Sequence, residues 1–150
     1  MRLEEEIKQK KFKDEYHKLA VNLQFTANWM KAYHSKLLKN FGISAQQFNV
    51  LRILKGQFPK PASLLLVRER MLDKESNASR LIDKLVVSGL TTRIQCPNDR
   101  RQVEITISKK GIDLLDQINP LVDENSKRLS SISNEEAVLL NNLLDRLRSN

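Results

Sequence analysis

The sequence predicts a mainly α-helical fold that contains one small β-hairpin. Along most of the chain, apolar residues recur at steps of three or four, which is the spacing of one helix face. By contrast, Val103 to Ile107 alternates apolar and polar residues, the pattern of a strand with one buried side. Four glycines and four prolines punctuate the 150 residues, so few segments are expected to be loops.

Length and composition fit a single domain, residues 1–150. With 40% hydrophobic and 29% charged residues the chain can bury a core, and no apolar run approaches the ~20 residues that cross a bilayer. Met1 to Glu6 is acidic where a secretory signal would be basic and then apolar. The single cysteine, Cys96, cannot form an intramolecular disulfide, which is typical of a reducing compartment. We expect a cytoplasmic protein with no membrane partner.

The N-terminal segment is predicted to be one long helix, from about Lys8 to Phe41. Two apolar stripes lie roughly opposite each other at 100° per residue. The first is Tyr16, Leu19, Leu23, Ala27, Met30, Leu37 and Phe41, and the second is Val21, Phe25, Trp29 and Ala32. A helix with two apolar faces needs a cover on both sides. The second cover is the chain's own terminal helices, a second subunit or a ligand.

Gly42 is predicted to end that helix, and a capping box formed by Ser44 and Gln47 begins the next. The buried face of this next helix is Phe48, Leu51 and Leu54. A short helix of barely two turns follows the proline-rich break, from Ala62 to Met71.

A further helix runs from about Lys74 to Ser88, with Asp73 as its N-cap and Gly89 just beyond its end. Its inward residues are Ala78, Leu81, Ile82 and Leu85. Three helices in a row, of which the second is short, are typical of a helix-turn-helix.

Two β-rich runs come next, from Leu90 to Cys96 and from Val103 to Ile107. Turn-forming residues, Pro97 to Arg100, separate them and predict a hairpin. A helix-turn-helix followed by a hairpin is a winged helix, in which one helix fits the major groove of DNA and the hairpin tip reaches the backbone or minor groove.

The C-terminal part is predicted to form two more helices. The first, from Lys109 to about Leu129, is capped by Ser108 and kinked at Pro120. The second begins at a capping box on Ser133. Its apolar stripe is Leu140, Leu143, Leu144 and Leu147.

Basic residues are concentrated in the middle of the chain. The net charge is +8, of which residues 52–110 contribute +7, residues 1–51 contribute +4 and residues 111–150 contribute −3. A contact with a polyanion therefore belongs to the middle segment. A membrane surface would also attract this charge, but the segment lacks the amphipathic basic helix that interfacial binding needs.

The helix predicted from Lys74 to Ser88 has a polar face that suits DNA. Its outward residues are Ser76, Asn77, Ser79, Arg80, Asp83 and Lys84. Asparagine and arginine make paired hydrogen bonds with adenine and guanine edges, whereas serine and lysine mainly contact phosphates. Any exposed amphipathic helix also has a polar face, so this face alone does not distinguish a DNA-binding helix from one that is simply exposed to solvent.

Residues 76–85, S-N-A-S-R-L-I-D-K-L, resemble the recognition helix of the MarR-type winged-helix transcription regulators of bacteria and archaea, S-x-x-S-R-L-[IV]-D-x-L. Gly89 and Leu90 then match the family's x-G-L. Residues 99–111 match its wing, D-x-R-x-x-x-[VI]-x-[LI]-[TS]-x-x-G. The matches are in order and correctly spaced, and neither motif follows from helix or hairpin propensity.

The resemblance implies a homodimer that binds double-stranded DNA with two recognition helices and two wings. It divides the chain into dimerisation helices, residues 1–41 and 112–150, and a winged helix-turn-helix DNA-binding lobe, residues 42–111. The aspartate of the D-x-R motif orients the arginine that enters the minor groove, whose narrow A·T-rich form rewards a guanidinium. The residue between them contacts phosphate. The expected DNA-binding residues are Ser76, Asn77, Ser79, Arg80, Lys84, Asp99, Arg100 and Arg101.

Two features depart from the family pattern. Many members have a small residue inside the short helix and a glycine in the following turn, where this chain has Arg68 and Leu72. The family's thiol-based sensors carry a cysteine near the start of the first long helix, where this chain has none. Cys96 lies at the base of the wing and is interpreted as a packed side chain rather than a redox switch.

The expected function is ligand-responsive repression at a pseudo-palindromic operator. In the family a small aromatic or anionic effector binds between the dimerisation helices and the DNA-binding lobe, and Trp29, Tyr33 and His34 are the candidates to line that site here. The alternative interpretation is that these three are core or interface aromatics.

No catalytic residue, metal site or cofactor is expected. His17 and His34 would lie about 25 Å apart along one helix, too far to share an ion. The sequence has no phosphate-binding loop or nucleophile elbow. The remaining alternative to a DNA-binding regulator is a helical protein-interaction module, such as an antirepressor that does not bind DNA. Arg80, Asp99 and Arg101 favour the regulator.

Overall fold

The computed structural model describes residues 1–96 and 99–149, and the side chains at 96, 99–102, 125–126 and 128–129 lie outside that description. The elements in chain order are α1 (Leu3–Glu6), α2 (Glu15–Lys39), α3 (Ala45–Gln57), β1 (Ala62–Ser63), α4 (Leu64–Arg70), α5 (Ala78–Val87), β2 (Thr91–Cys96), β3 (Asp99–Ile107), α6 (Lys109–Ser126), a 3-10 helix (Lys127–Ser131) and α7 (Asn134–Arg148). The mainly helical winged helix-turn-helix fold, with helices at both ends, is confirmed.

The N-terminal segment differs from the single helix predicted from Lys8 to Phe41. It forms the one-turn α1 and, after a break, the long α2. The helix begins late because the Asp14 carboxylate accepts a hydrogen bond from the backbone N–H of His17 at 2.8 Å, which makes Asp14 the N-cap. An ion pair between Lys18 and Glu4, 2.5 Å long, joins α2 to α1.

The helix-turn-helix region begins as predicted. Gly42 has a φ of 70° in the turn after α2, and Ser44 and Gln47 form the capping box of α3. The buried residues of α3 are Val50, Leu51 and Leu54. Phe48, which was predicted to be on the buried face, is only half-buried.

The short helix predicted from Ala62 to Met71 is shorter, because its first two residues form a strand. Ala62 lies opposite Ile105, and Ser63 lies opposite Glu104. The Ser63 hydroxyl then caps α4 by accepting a hydrogen bond from the backbone N–H of Leu66 at 3.1 Å. The wing is therefore a three-stranded antiparallel sheet in the order β1-β3-β2, rather than a hairpin alone.

The predicted hairpin is formed by β2 and β3. Its register runs from Thr91 opposite Ile107 to Gln95 opposite Val103, and an irregularity follows at Cys96. The predicted turn residues Pro97 and Asn98 lie outside the described part of the chain.

The two predicted C-terminal helices are present, one of them ends early, and the kink at Pro120 stays a prediction. α6 runs through Pro120, but it changes to a 3-10 helix at Lys127 instead of continuing as an α-helix to Leu129. Ser133 and Glu136 form the capping box of α7. None of the 15 residues of α7 is buried within the chain.

The core lies between the end of α2, α3, α4, α5, the sheet and the first half of α6. Its fully buried large side chains are Leu38, Val50, Leu51, Leu54, Val67, Met71, Ile82, Leu85, Ile105, Leu115 and Ile118. This core fixes α5 and the wing relative to each other. Among the described residues, no helix combines the length and the apolar character that crossing a membrane would require.

Candidate nucleic-acid interface

The recognition helix, α5, begins four residues later than predicted. The sequence suggested a helix from Lys74 with Asp73 as N-cap, whereas α5 begins at Ala78 with Asn77 as N-cap. The Asn77 Oδ1 atom accepts a hydrogen bond from the backbone N–H of Arg80 at 3.0 Å. This hydrogen bond uses one lone pair of the Asn77 carbonyl oxygen and leaves its amide NH2 group as the donor for a ligand.

Asp73 forms a turn instead of a helix cap. Its Oδ1 accepts a hydrogen bond from the backbone N–H of Glu75 at 3.2 Å, and its Oδ2 accepts one from the Ser76 hydroxyl at 2.8 Å. The Ser76 hydrogen bond lowers the pKa of Asp73 the most. Partial desolvation opposes this effect, while a hydrogen bond from the Gln46 side chain, the Glu75 N–H and the charge of Lys31 also lower the pKa. Asp73 is therefore an ionised acceptor.

The N-terminal half of α5 opens onto a concave cavity of about 380 Å³. Its walls are Gln46, Ser76, Asn77, Arg80, Leu81 and Lys84. Four of the predicted DNA-binding residues, Ser76, Asn77, Arg80 and Lys84, thus lie together. Ser79 is half-buried on α5 and is not part of this cavity. Sequence reasoning missed Gln46, which lies at the start of α3, because only the tertiary fold places α3 beside α5.

The end of α5 is linked to the wing. It ends as predicted at Gly89, which has a φ of 72°. The Asp83 carboxylate pairs with the Arg93 guanidinium of β2 at 2.6 Å. The sequence placed Asp83 on the outward face without a role and did not single out Arg93. The pair neutralises the Asp83 charge next to the predicted DNA-binding residues of α5 and ties α5 to β2.

The predicted wing contacts lie at the far end of the hairpin. The backbone of Asp99, Arg100 and Arg101 belongs to β3, and their side chains lie outside the described part of the chain. Cys96 ends β2 opposite Asp99, and its side chain is likewise outside the description. The predicted roles of these four residues stay predictions.

The turn between α4 and α5 is held by a residue that the sequence did not suggest. The backbone N–H of Leu72 donates a hydrogen bond to Asn49 Oδ1 on α3 at 3.0 Å. Leu72 keeps a negative φ, so the turn does not need the glycine that many family members have there. Its side chain is 87% exposed, and Arg68 is also exposed.

A second cavity, of about 350 Å³, lies between α2, α3 and α6. Its walls are His34, Leu37, Leu38, Ala45, Phe48, Asn49, Arg52, Leu72 and Val122. Of the three predicted effector residues, only His34 lines this cavity. Trp29 is 46% exposed and Tyr33 is half-buried, and both lie elsewhere on α2.

The second cavity combines apolar walls with polar groups. The Arg52 guanidinium lies 5.9 Å from the centre of the Phe48 ring, a cation–π distance that holds it at the rim. Apolar walls with a few polar groups are typical of a small-molecule site. Among the described residues, no group of three or more histidine, cysteine, aspartate or glutamate side chains could hold a metal ion.

Comparison with known proteins supports this description of the fold. The model of the MarR family matches residues 43–103. The HTH-type transcriptional regulator YkoM of Bacillus subtilis (strain 168) is 34% identical over 83 residues, which are 55% of this chain and 53% of YkoM, so the alignment spans about half of each protein. The HTH-type transcriptional regulator MhqR of the same organism is 28% identical over 134 residues, 89% of this chain and 91% of MhqR.

Several solved structures share the fold. A MarR transcription factor from Planctomyces limnophilus is 29% identical with a TM-score of 0.69, over 90% of this chain and 98% of that one. S. aureus MepR in complex with DNA is 21% identical with a TM-score of 0.80, over 87% and 96%. Bordetella bronchiseptica BpsR, whose DNA binding is regulated by 6-hydroxynicotinic acid, is 21% identical with a TM-score of 0.73, over 87% and 98%. Residues 43–103 therefore carry the MarR-family helix-turn-helix region, and nearly the whole chain shares the architecture of HTH-type transcriptional regulators.

Proposed function

We propose that this protein is a repressor that binds a pseudo-palindromic operator as a homodimer and releases it when a small aromatic or anionic effector binds. The observation that carries the proposal is the grouping of Asn77, Arg80 and Lys84 around one cavity at the N-terminal half of α5. In helix-turn-helix proteins, residues at this end of the recognition helix contact base edges in the major groove. MepR, which shares the fold, has been solved with DNA.

We also propose that residues 42–111 form the DNA-binding lobe and that residues 1–41 and 112–150 form the dimer interface. The exposed apolar side chains of the terminal helices support this division. On α7, Leu140, Leu143 and Leu147 are 47–50% exposed, and on α2, Tyr16 is 84% exposed. Apolar faces of this extent at both ends suit a two-fold interface in which each chain covers the other.

The dimer is expected to give twice the 17.4 kDa of one chain in light scattering at micromolar concentration. Leu143→Glu should shift the protein toward the monomer, because a carboxylate would have to be buried in an apolar interface. Leu65→Glu is the matched control, since Leu65 is 61% exposed on α4, far from the terminal helices in sequence. A wild-type monomer, or equal effects of the two variants, would contradict the interface.

Footprinting on DNA from the protein's own upstream region tests the operator. A two-fold dimer with one α5 per subunit should protect two half-sites about one helical turn apart, roughly 34 Å between centres. Protection of a single asymmetric half-site would argue against the dimeric mode. An absence of any gel-shifted complex would favour the protein-interaction alternative instead.

The second cavity is the proposed effector site. Apolar walls formed by Leu37, Leu38 and Phe48 suit an aromatic ring, and Arg52 at the rim suits a carboxylate or phenolate. The Asn49 amide that lines this cavity also holds the backbone of Leu72 in the turn before α5. An effector that hydrogen-bonds with Asn49 would compete with Leu72, so its binding would be coupled to the position of the recognition helix.

Arg52→Ala tests this site with 6-hydroxynicotinic acid, the compound that regulates BpsR, as the probe. The acid should release the wild-type protein from its operator, and the variant should need about tenfold more, because one charge-assisted hydrogen bond is lost. Lys55→Ala is the control, since Lys55 is exposed on the same helix outside the cavity wall. Equal release of all three proteins, measured by fluorescence anisotropy, would remove Arg52 from the site.

A further inference from the structure

One carboxylate in the turn before α5, that of Asp73, decides which polar atoms Ser76 presents to a ligand. Asp73 accepts hydrogen bonds from the Glu75 N–H at 3.2 Å and from the Ser76 hydroxyl at 2.8 Å. An ionised carboxylate has no proton to give, so each of its partners must act as the donor. The low pKa of Asp73 agrees with an ionised carboxylate at neutral pH.

The direction of this hydrogen bond limits what Ser76 can bind. A hydroxyl has one proton, and Ser76 gives it to Asp73. The Ser76 oxygen still has lone pairs, so it can only accept a hydrogen bond from a ligand. A DNA phosphate oxygen is also an acceptor and cannot pair with it. In the major groove, the amino groups of cytosine and adenine are the donors that can.

The next residue has the opposite polarity. Asn77 Oδ1 accepts a hydrogen bond from the Arg80 backbone N–H at 3.0 Å, and the Asn77 NH2 group supplies the donors for a ligand. Ser76, Asn77 and Arg80 line the same cavity of about 380 Å³. Along this edge the protein therefore presents an acceptor at Ser76 and donors at Asn77 and Arg80.

We propose that Asp73 is a specificity-determining positioning residue, which makes Ser76 an acceptor that reads the amino group of a cytosine or an adenine in the major groove. The inference rests on the proposed sequence-specific DNA binding. Asp73 does not itself touch DNA and acts through Ser76. Gln46 on α3 and Lys31 on α2 stabilise its charge, so two helices distant in sequence contribute to this arrangement.

Asp73→Asn reverses the hydrogen bond with almost no change in shape. The new carbonyl oxygen can still accept from the Glu75 N–H, while the new NH2 group faces the Ser76 oxygen and donates to it. The Ser76 proton then points outward, and the residue becomes a donor. At the base that Ser76 faces, the preference should shift away from cytosine, whose major-groove edge offers only a donor, toward guanine or thymine, whose edges offer only acceptors, while adenine, which offers both, should change least. Ser76→Ala should abolish the preference at that position without reversing it.

The experiment selects binding sites from a random DNA duplex library with the full-length wild type, Asp73→Asn, Ser76→Ala and Asp113→Asn. Asp113 is the control, because it is an exposed carboxylate paired with Lys109 on α6 that is not part of the cavity wall, and its change removes the same charge. Wild type and Asp113→Asn should enrich the same sequence. Asp73→Asn should change the ratio of donor-bearing to acceptor-bearing bases at one position per half-site. The change should be about fivefold or more, which is the effect expected from one hydrogen bond.

Two results would overturn the proposal. One is an unchanged consensus for Asp73→Asn with a uniform loss of affinity, which would make Asp73 a turn residue only. The other is a Ser76→Ala variant that keeps the wild-type preference at every position. If the wild type itself enriches no sequence, the proposed sequence-specific function fails and this inference fails with it. That case is recognised because the wild-type library stays random, and melting temperatures of the variants show separately whether each one folds.

Discussion

Gly111→Ala is expected to lower the free energy of unfolding by about 2–3 kcal/mol, because there is no room for a side chain at this position. A Cβ atom there would lie 2.3 Å from the Leu90 carbonyl oxygen and 2.8 Å from Ile107 Cγ1. The first of these is a backbone atom, so relief requires α6 to move away from the junction between α5 and β2. Denaturant titration followed by circular dichroism measures the loss, and the melting temperature should fall by roughly 5–10 °C.

Gly56→Ala is the matched control for that change. Gly56 lies in α3, and a Cβ atom at its position would meet nothing within 4 Å. Alanine in a helix is favoured over glycine by about 0.5–1 kcal/mol, so this variant should be as stable as the wild type or slightly more stable. If both glycine variants unfold at the same denaturant concentration, the close approach at Gly111 does not limit stability.

Arg80→Ala is expected to cost about 1–3 kcal/mol of binding energy at the selected operator and much less on scrambled DNA. Arg80 is exposed on α5 and lines the cavity with Ser76 and Asn77, where a guanidinium can contact a guanine edge with two hydrogen bonds. Titrations against both duplexes at two salt concentrations separate this base contact from phosphate attraction, since the latter falls steeply with salt.

Arg101→Ala and the Asn77 variants complete that comparison. Arg101→Ala should weaken binding to both duplexes alike, because a minor-groove arginine responds to groove shape more than to base identity.

Asn77→Ala also removes the N-cap of α5 and should cost about 1 kcal/mol of stability. Asn77→Ser keeps a capping oxygen and lacks only the amide NH2, so it isolates the base contact. Equal losses for Arg80→Ala on both duplexes would mean that α5 contacts only the DNA backbone.

The sequence by itself determined the features that depend on neighbours within a few residues. Ser44 and Ser133 form capping boxes because the hydroxyl and the side chain three residues later reach each other across one helical turn. Gly89 ends α5 because a positive φ costs glycine little. The ordered match at residues 76–85 and 99–111 predicted the family, and the family comparison agrees with it.

Only the tertiary structure decided where the recognition helix begins and what surrounds it. By local pattern both Asp73 and Asn77 are acceptable N-caps. The hydrogen bond between Asp73 and Ser76 is local, but Asn49 on α3 holds the backbone of Leu72 from 23 residues away. With this long-range contact the turn continues past Asp73, and the helix begins at Ala78. Ala62 and Ser63 are a strand for the same kind of reason, since their partners in β3 are about 40 residues distant. Where the local sequence allows two N-caps, or either helix or strand, contacts between residues distant in sequence decide which one forms. Sequence periodicity does not predict those contacts.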